Sequence, residues 1–277
     1  MTDILNSCSG KIALVTGAGT GIGRGCSMAL AEAGATVVVT DIDAGTATET
    51  AELITKNGGK ARALGQDVTQ EDVWQDVIAS ISDQEDGLNV LVNNAGIAIG
   101  VAVTEMSLDD WRRQNAINLD GVFLGTKHAI PLMTKSGGGS IINISSVAGL
   151  VGSGGLAGYC ATKGGVRLFS KAVAIECAAG ETNIRVNSVH PGIIDTDIWG
   201  KEISGIAKSQ PDLMVPGANR VNIDAFTDAV VPGGRVGQVD DISRGVVFLA
   251  SDASSYINGS ELVICLLYTS PSPRDRG

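Results

Sequence analysis

The sequence predicts an α/β protein: a single-domain, doubly wound parallel sheet of about seven strands with helices on both faces. Two observations carry this. Short β-branched runs alternate along the 277 residues with longer segments of helical character. That alternation reads as βαβ units joined by right-handed crossovers. The strand runs are also apolar nearly throughout, which implies burial on both faces under covering helices. A third observation is glycine, 37 of 277 residues, which without a collagen period implies tight turns and close backbone approaches.

In chain order, the predicted strands are Lys11–Thr16, Thr36–Thr40, Ala61–Gln66, Val90–Asn93, Ser140–Ser145, Ile184–Val189 and Glu261–Ile264. Helical patterns lie between them, near 22–33, 44–57, 70–85, 107–135, 157–179 and 239–251. No repeat or linker divides the chain, so 1–264 is read as one domain. Within it, 197–236 breaks the rhythm with Pro211, Pro216 and Pro232. An irregular insert after a strand's C-terminal end is where a substrate lid belongs, and Trp199, Ile203, Met214 and Phe226 are its candidate apolar walls. The last residues, 265–277, read as a non-native tail. CLLYTSPSPRD matches one back-translation of a transposase sequencing adapter and follows a strand that ends well at Ile264.

Composition removes several classes of function. Thirty acidic against twenty basic residues give a formal charge of −10 with no Lys/Arg stripe, so neither nucleic acid nor an anionic membrane surface is a predicted partner. No run approaches ~18 apolar residues and no export signal opens the chain, which predicts a cytoplasmic protein with no membrane span. Five cysteines without CxxC spacing read as reduced thiols. With only His128 and His190, a histidine zinc site or a Ser-His-Asp triad is hard to assemble, and no metal is predicted.

The first strand runs into Thr16-Gly17-Ala18-Gly19-Thr20-Gly21-Ile22-Gly23 at the start of a helix. Positions without side chains let the backbone approach a pyrophosphate, and the helix N-terminus offers free N–H groups and a positive dipole end. Gly17, Thr20, Gly21, Ile22 and Gly23 are therefore candidate cofactor contacts. Asp41 ends the second strand, where a carboxylate accepts both ribose hydroxyls of an adenosine and repels a 2′-phosphate. No Arg or Lys stands in Ile42-Asp43-Ala44, which favours NAD over NADP, with Arg24 nearby as the opposing feature. Asp67, next to Val68, either accepts from the adenine amino group, caps the following helix, or does both.

Tyr159 and Lys163 stand four apart in a helical stretch and so share one face. Small and apolar neighbours keep that face partly dry. A phenol with a reference pKa of ~10 becomes a useful base only if lowered by ~3 units, about 4 kcal/mol. Two cations within ~4–6 Å supply energy of that order at an effective dielectric near ~20. Lys163 would be one and an oxidised nicotinamide ring the other. Ser146, at the end of the fifth strand, lies thirteen residues ahead of Tyr159. Ser145 is the alternative to it. Asn93-Asn94-Ala95-Gly96 follows the fourth strand, Asn118 sits in AINLDG, and His190-Pro191-Gly192-Ile193-Ile194-Asp195-Thr196 follows the sixth.

Together these motifs resemble the short-chain dehydrogenase/reductase family in its compact subtype, over roughly residues 8–264. The resemblance implies a Rossmann fold and oxidoreduction of a small secondary, possibly cyclic, alcohol or ketone with NAD. Tyr159 would be the general acid/base, Lys163 would lower its pKa and hold the nicotinamide ribose, and Ser146 would orient the substrate oxygen. Asn118 would bend its helix and position a water in a proton relay. Asn94 would steady the central strands beside the cofactor, Thr196 with the backbone at Ile193 would clamp the nicotinamide carboxamide, and Ala95, Gly96, Pro191 and Gly192 would be further cofactor contacts. The resemblance further implies a homo-oligomer, dimer or tetramer, paired through the helices at 107–135 and 157–179. His190 and Cys160 are read as structural. Rival readings are a 3-oxoacyl-[acyl-carrier-protein] reductase and a non-catalytic NAD-binding regulator. The subtype's Asp-Gly-Gly after the last strand is replaced here by Cys265-Leu266-Leu267.

Overall fold

The computed structural model describes residues 7–85, 87–200, 215, 221–231 and 235–266. Seven parallel strands form one sheet: β1 (Ile12–Val15), β2 (Thr36–Asp41), β3 (Lys60–Gly65), β4 (Val90–Asn93), β5 (Gly139–Ile144), β6 (Ile184–Pro191) and β7 (Glu261–Ile264). Their order is β3-β2-β1-β4-β5-β6-β7, so the chain reverses its direction of winding between β1 and β4. Loops diverge at such a switch point and open a crevice at the strands' C-terminal ends.

Helices α1 (Gly21–Glu32), α2 (Ala44–Lys56) and α8 (Val239–Ala250) belong with one face, where Cys26, Leu30, Val246 and Leu249 pack on Val37, Val39 and Ile142. On the other face lie α3 (Glu71–Glu85), α5 (Gly121–Lys135) and α6 (Ala157–Ala179), with Trp74, Ile81, Met133 and Val173 against Leu14, Val38 and Leu91. Every β4 residue is buried, as the apolar strand runs require. Burying one such side chain contributes about 1.5–3 kcal/mol. Truncating fully buried Leu14 or Leu91 to Ala would cost about 2–5 kcal/mol.

The expected helix over 107–135 is broken. α4 (Leu108–Asn115) starts at Ser107, whose hydroxyl accepts from the Asp110 N–H at 3.0 Å. Asp109 and Asp110 in its first turn and Arg112 and Arg113 in its last match the helix dipole. A π turn over Ala116–Asp120 then joins it to α5. Within the predicted insert, α7 (Ile223–Val230) is the short helix; Ile203, Met214 and the Phe226 side chain lie outside the described residues, as do 267–277 of the tail.

Candidate active site

The first strand enters the glycine turn because its last residue is held from across the sheet. The Thr16 hydroxyl accepts from the Asn94 and Ala95 N–H groups, each at 3.1 Å. Asn94 Nδ2 donates to the carbonyls of Thr16 and Gly17 at 2.9 Å. These bonds staple β1 to β4 at the switch point. Gly17 has φ +59°, and a Cβ there would stand 2.7 Å from Ala95 Cα, so only glycine fits. α1 then begins at Thr20, whose side chain makes no cap, leaving first-turn N–H groups to the crevice.

At the end of β2, Asp41 faces this turn: Oδ2 accepts from the Gly19 N–H at 2.9 Å and Oδ1 from the Asp43 N–H at 3.1 Å. Arg24 reaches instead to α2, donating to Thr50 Oγ1 at 2.9 Å and pairing with Glu49 at 3.3 Å. Asp67 Oδ1 accepts from the N–H and the hydroxyl of Thr69, at 2.9 and 2.7 Å, so it shapes the turn ahead of α3. The same residue lines the crevice, as the double reading of Asp67 allowed.

The crevice is one cavity of about 790 Å³. Asp41, Asp67 and Val68 mark one end, and Ser146, Tyr159 and Lys163 the other. Gly17, Thr20, Gly21, Ile22, Asn94, Ala95 and Gly96 lie on its wall, as do Pro191, Gly192, Ile193 and Thr196. Two predicted residues do not reach it. A Cβ at Gly23 would run into the Gly17 carbonyl and Asn94 Nδ2, so this glycine serves helix-to-turn packing and not the cavity surface. Asn118 is fully buried behind the wall.

Asn118 explains the π turn. Its Oδ1 accepts from the Ile97 N–H at 2.9 Å, and its Nδ2 donates to the Ile97 carbonyl at 2.8 Å and to Thr162 Oγ1 at 3.1 Å. Three partners on two other segments fix this residue, and the extra residue of a π turn brings it to them. Its side chain is therefore a clamp. Oδ1 lies 3.3 Å, and Lys163 Nζ 3.4 Å, from where a Cβ at Gly96 would stand.

Ser145 and Ser146 divide their work. The Ser145 hydroxyl donates to the Lys163 carbonyl at 2.8 Å and so ties β5 to α6. Ser146 Oγ accepts from the Ala148 N–H at 3.1 Å and hydrogen-bonds Tyr159. Lys163 Nζ donates to the Ile144 carbonyl at 2.7 Å and lies 5.7 Å from the centre of the Tyr159 ring. Beyond Tyr159 the wall is apolar: Ala98, Leu156 and Val221 cluster with Tyr159, Cys160 and Trp199. Cys160 has the packing role expected of it.

Burial dominates the electrostatics of Tyr159 and Lys163. Burial pushes the Tyr159 phenol up to about 12, against the smaller opposing effect of the Ser146 hydrogen bond. Burial also brings the Lys163 ammonium down to about 8. Desolvation raises the phenol, whereas the lowering expected from the sequence needs two cations, Lys163 and an oxidised nicotinamide ring. Thr16 and Thr162 were not predicted site residues, and Ser145 entered only as the alternative to Ser146. Each flanks a motif, but its hydrogen bond crosses from one segment to a distant one, which spacing does not reveal.

Fold and crevice together define a dinucleotide-dependent oxidoreductase. A sequence model described as short chain dehydrogenase matches residues 11–206. The chain is 40% identical over 259 residues to a cyclopentanol dehydrogenase of Comamonas testosteroni, covering 94% of this chain and 97% of that one. It is 36% identical over 276 residues to an NADP-dependent (R)-specific alcohol dehydrogenase of Lentilactobacillus kefiri, covering 97% and 99%. Among solved structures, a short-chain type dehydrogenase/reductase from Mycobacterium marinum superposes with a TM-score of 0.85 at 35% identity, covering 96% and 98%. The chain belongs to the short-chain dehydrogenase family.

Proposed function

We propose that this protein interconverts secondary alcohols, small alicyclic ones foremost, and their ketones, with NAD as the redox partner. One observation carries the reading: Ser146, Tyr159 and Lys163 open onto the same cavity as the uncapped start of α1 and the Asp41 carboxylate. The cavity suits a dinucleotide, because Gly17, Thr20, Gly21 and Ile22 line it and the uncapped first-turn N–H groups of α1 suit a pyrophosphate. Gly21, Ile22 and Thr20 would flank the phosphates, Asp41 the ribose, Asp67 and Val68 the adenine, and Pro191, Gly192, Ile193 and Thr196 the carboxamide. In its oxidised form the bound dinucleotide supplies a hydride acceptor and a positive charge.

In the reductive direction Tyr159, neutral because burial holds its proton, donates it to the carbonyl oxygen. Ser146 holds that oxygen and stabilises charge developing on it. In the oxidative direction Tyr159 takes the hydroxyl proton, with protonated Lys163 favouring its ionised form. Asn118 supports Lys163 by fixing the Ile97 segment and Thr162 behind it. The apolar wall of Ala98, Leu156 and Trp199 favours an uncharged hydrocarbon substrate, and the activity named for the Comamonas relative points the same way.

Asp41 on the cavity and Arg24 engaged by Glu49 favour NAD over NADP, whereas the Lentilactobacillus relative uses NADP. The reading extends to a homo-oligomer, since Phe123, Leu168 and Ile175 leave apolar surface on α5 and α6. It extends also to a reducing, cytoplasmic setting for the free thiols, and to residues 197–236 as the substrate cover. No helix among the described residues is long and apolar enough to cross a membrane. Initial rates with NAD and NADP on cyclopentanol, cyclohexanol, cyclohexanone and an acetoacetyl thioester test the reading. Faster NAD-linked turnover of the alicyclic compounds supports it. Tight NAD binding without turnover of any of them overturns it in favour of the regulator, and preference for the thioester in favour of the carrier-protein reductase.

A further inference from the structure

The end of β5 carries Ser146, and its backbone is tied down residue by residue. Lys163 Nζ holds the Ile144 carbonyl at 2.7 Å, and the Ser145 N–H donates to the Val189 carbonyl of β6 at 2.8 Å. Two residues on in β6 stands Pro191, which has no N–H to offer the ladder. The Ser146 carbonyl is met by a side chain: His190 Nδ1 lies 2.9 Å from it. A carbonyl only accepts, so Nδ1 carries the proton. Nε2 is then the acceptor, and the Ser188 hydroxyl donates to it at 2.8 Å. Both ring nitrogens are used, and His190 and Ser188 are fully buried.

We propose that His190 is a positioning residue for the reaction: its imidazole, oriented by Ser188, fixes the Ser146 carbonyl and thereby aims the Ser146 hydroxyl at Tyr159 and the substrate oxygen. The inference rests on the role given above to Ser146. Burial beside Lys163 and Arg167 lowers the His190 pKa, although Glu261 and the Ser146 carbonyl oppose this, and the neutral ring is the form that the two hydrogen bonds require. His190 does not line the cavity, so it touches neither substrate nor dinucleotide and acts only through Ser146.

A double-mutant cycle on the full chain tests this, with kcat on an alicyclic alcohol, NAD affinity by fluorescence titration and thermal melting as readouts. His190→Ala is expected to lower kcat roughly 10- to 100-fold while NAD affinity stays within about twofold. In a Ser146→Ala background the same change is expected to lower kcat no further. An equal fall in both backgrounds, or an unchanged kcat in His190→Ala, overturns the proposal. Near-parental activity of Ser146→Ala alone overturns the reading of Ser146, and that result is visible without any change at His190. Should His190→Ala fail to fold, the comparison passes to His190→Asn and His190→Gln. Asn places an amide N–H where Nδ1 stands and is expected to retain most of kcat; Gln places it near Nε2 and is expected to be slow. Equal rates for these two, or the reverse order, overturn the proposal.

Discussion

The two ends of the cavity are built on opposite plans. Around Gly17–Gly23 the surface is backbone, and what qualifies a residue is the lack of a side chain: Gly17 at φ +59° faces Ala95 with no room for a methyl group. Around Ser146, Tyr159 and Lys163 the surface is side chains, and what qualifies a residue is how its neighbours hold it. Lys163 is anchored on Ile144, α6 is tied to Ser145, and Ser146 is pinned by His190. The first end depends on space and the second on hydrogen bonds across long stretches of chain. Damage at the first should therefore appear in binding and folding, and damage at the second in turnover.

The largest separation is expected from Tyr159→Phe. It should lower kcat by about 10²- to 10⁴-fold while NAD affinity, measured by fluorescence titration, changes little. Parental turnover in a folded, NAD-binding variant would remove the acid/base assignment. Gly17→Ala is the opposite case. The methyl group meets Ala95 Cα in a left-handed backbone conformation, so denaturant unfolding should show a loss of about 2–4 kcal/mol and NAD should bind more weakly. Stability within error of the parent would mean that the turn is not confined as described.

A smaller effect concerns Lys163. Its folded pKa of about 8 lies below the ordinary 10.5, so between these values the unfolded chain holds more protons than the folded one. Stability then rises with pH across that window, and the burial cost is fully present below about 8. Relative to Lys163→Met, the parent should gain about 2 kcal/mol between pH 7.5 and 10 in urea unfolding. A constant difference would show that the ammonium is not desolvated. The smallest effect falls at the binding end: Asp41→Ala should shift the NAD/NADP ratio of kcat/KM by about tenfold toward NADP, through removal of one carboxylate. An unchanged ratio would locate cofactor choice elsewhere.

Much of this was legible from residue order. All seven strands fall within two residues of their predicted limits; those at the centre of the sheet, such as β4, are buried on both faces and advertise themselves by an apolar run. The glycine turn, Asp41, and the Ser146, Tyr159 and Lys163 set lie where their motifs placed them. The break in the helix over 107–135 was legible only through the family resemblance, which implied that Asn118 bends it. Its apolar pattern runs on through Asn118, and only the distant Ile97 and Thr162 reveal why the chain takes a π turn there. Arg24 stood in the sequence as a possible phosphate ligand, and its capture by Glu49 and Thr50 needed α2 to be in place. His190 read as structural from the Pro191-Gly192 turn that follows it, and its partner Ser146 is 44 residues away.

The amino-acid order by itself determined the alternation of elements, the parallel sheet, the glycine turn and the titratable groups set side by side on one helix. These follow from local periodicity, from positions that admit only glycine, and from short spacings on one helix. Tertiary structure alone decided the proton affinity of those groups and their aim. A phenol pushed up to about 12 and an ammonium brought down to about 8 are consequences of desolvation. Desolvation depends on every segment that closes over a side chain, and the Ser146 hydroxyl takes its direction from an imidazole on the neighbouring strand.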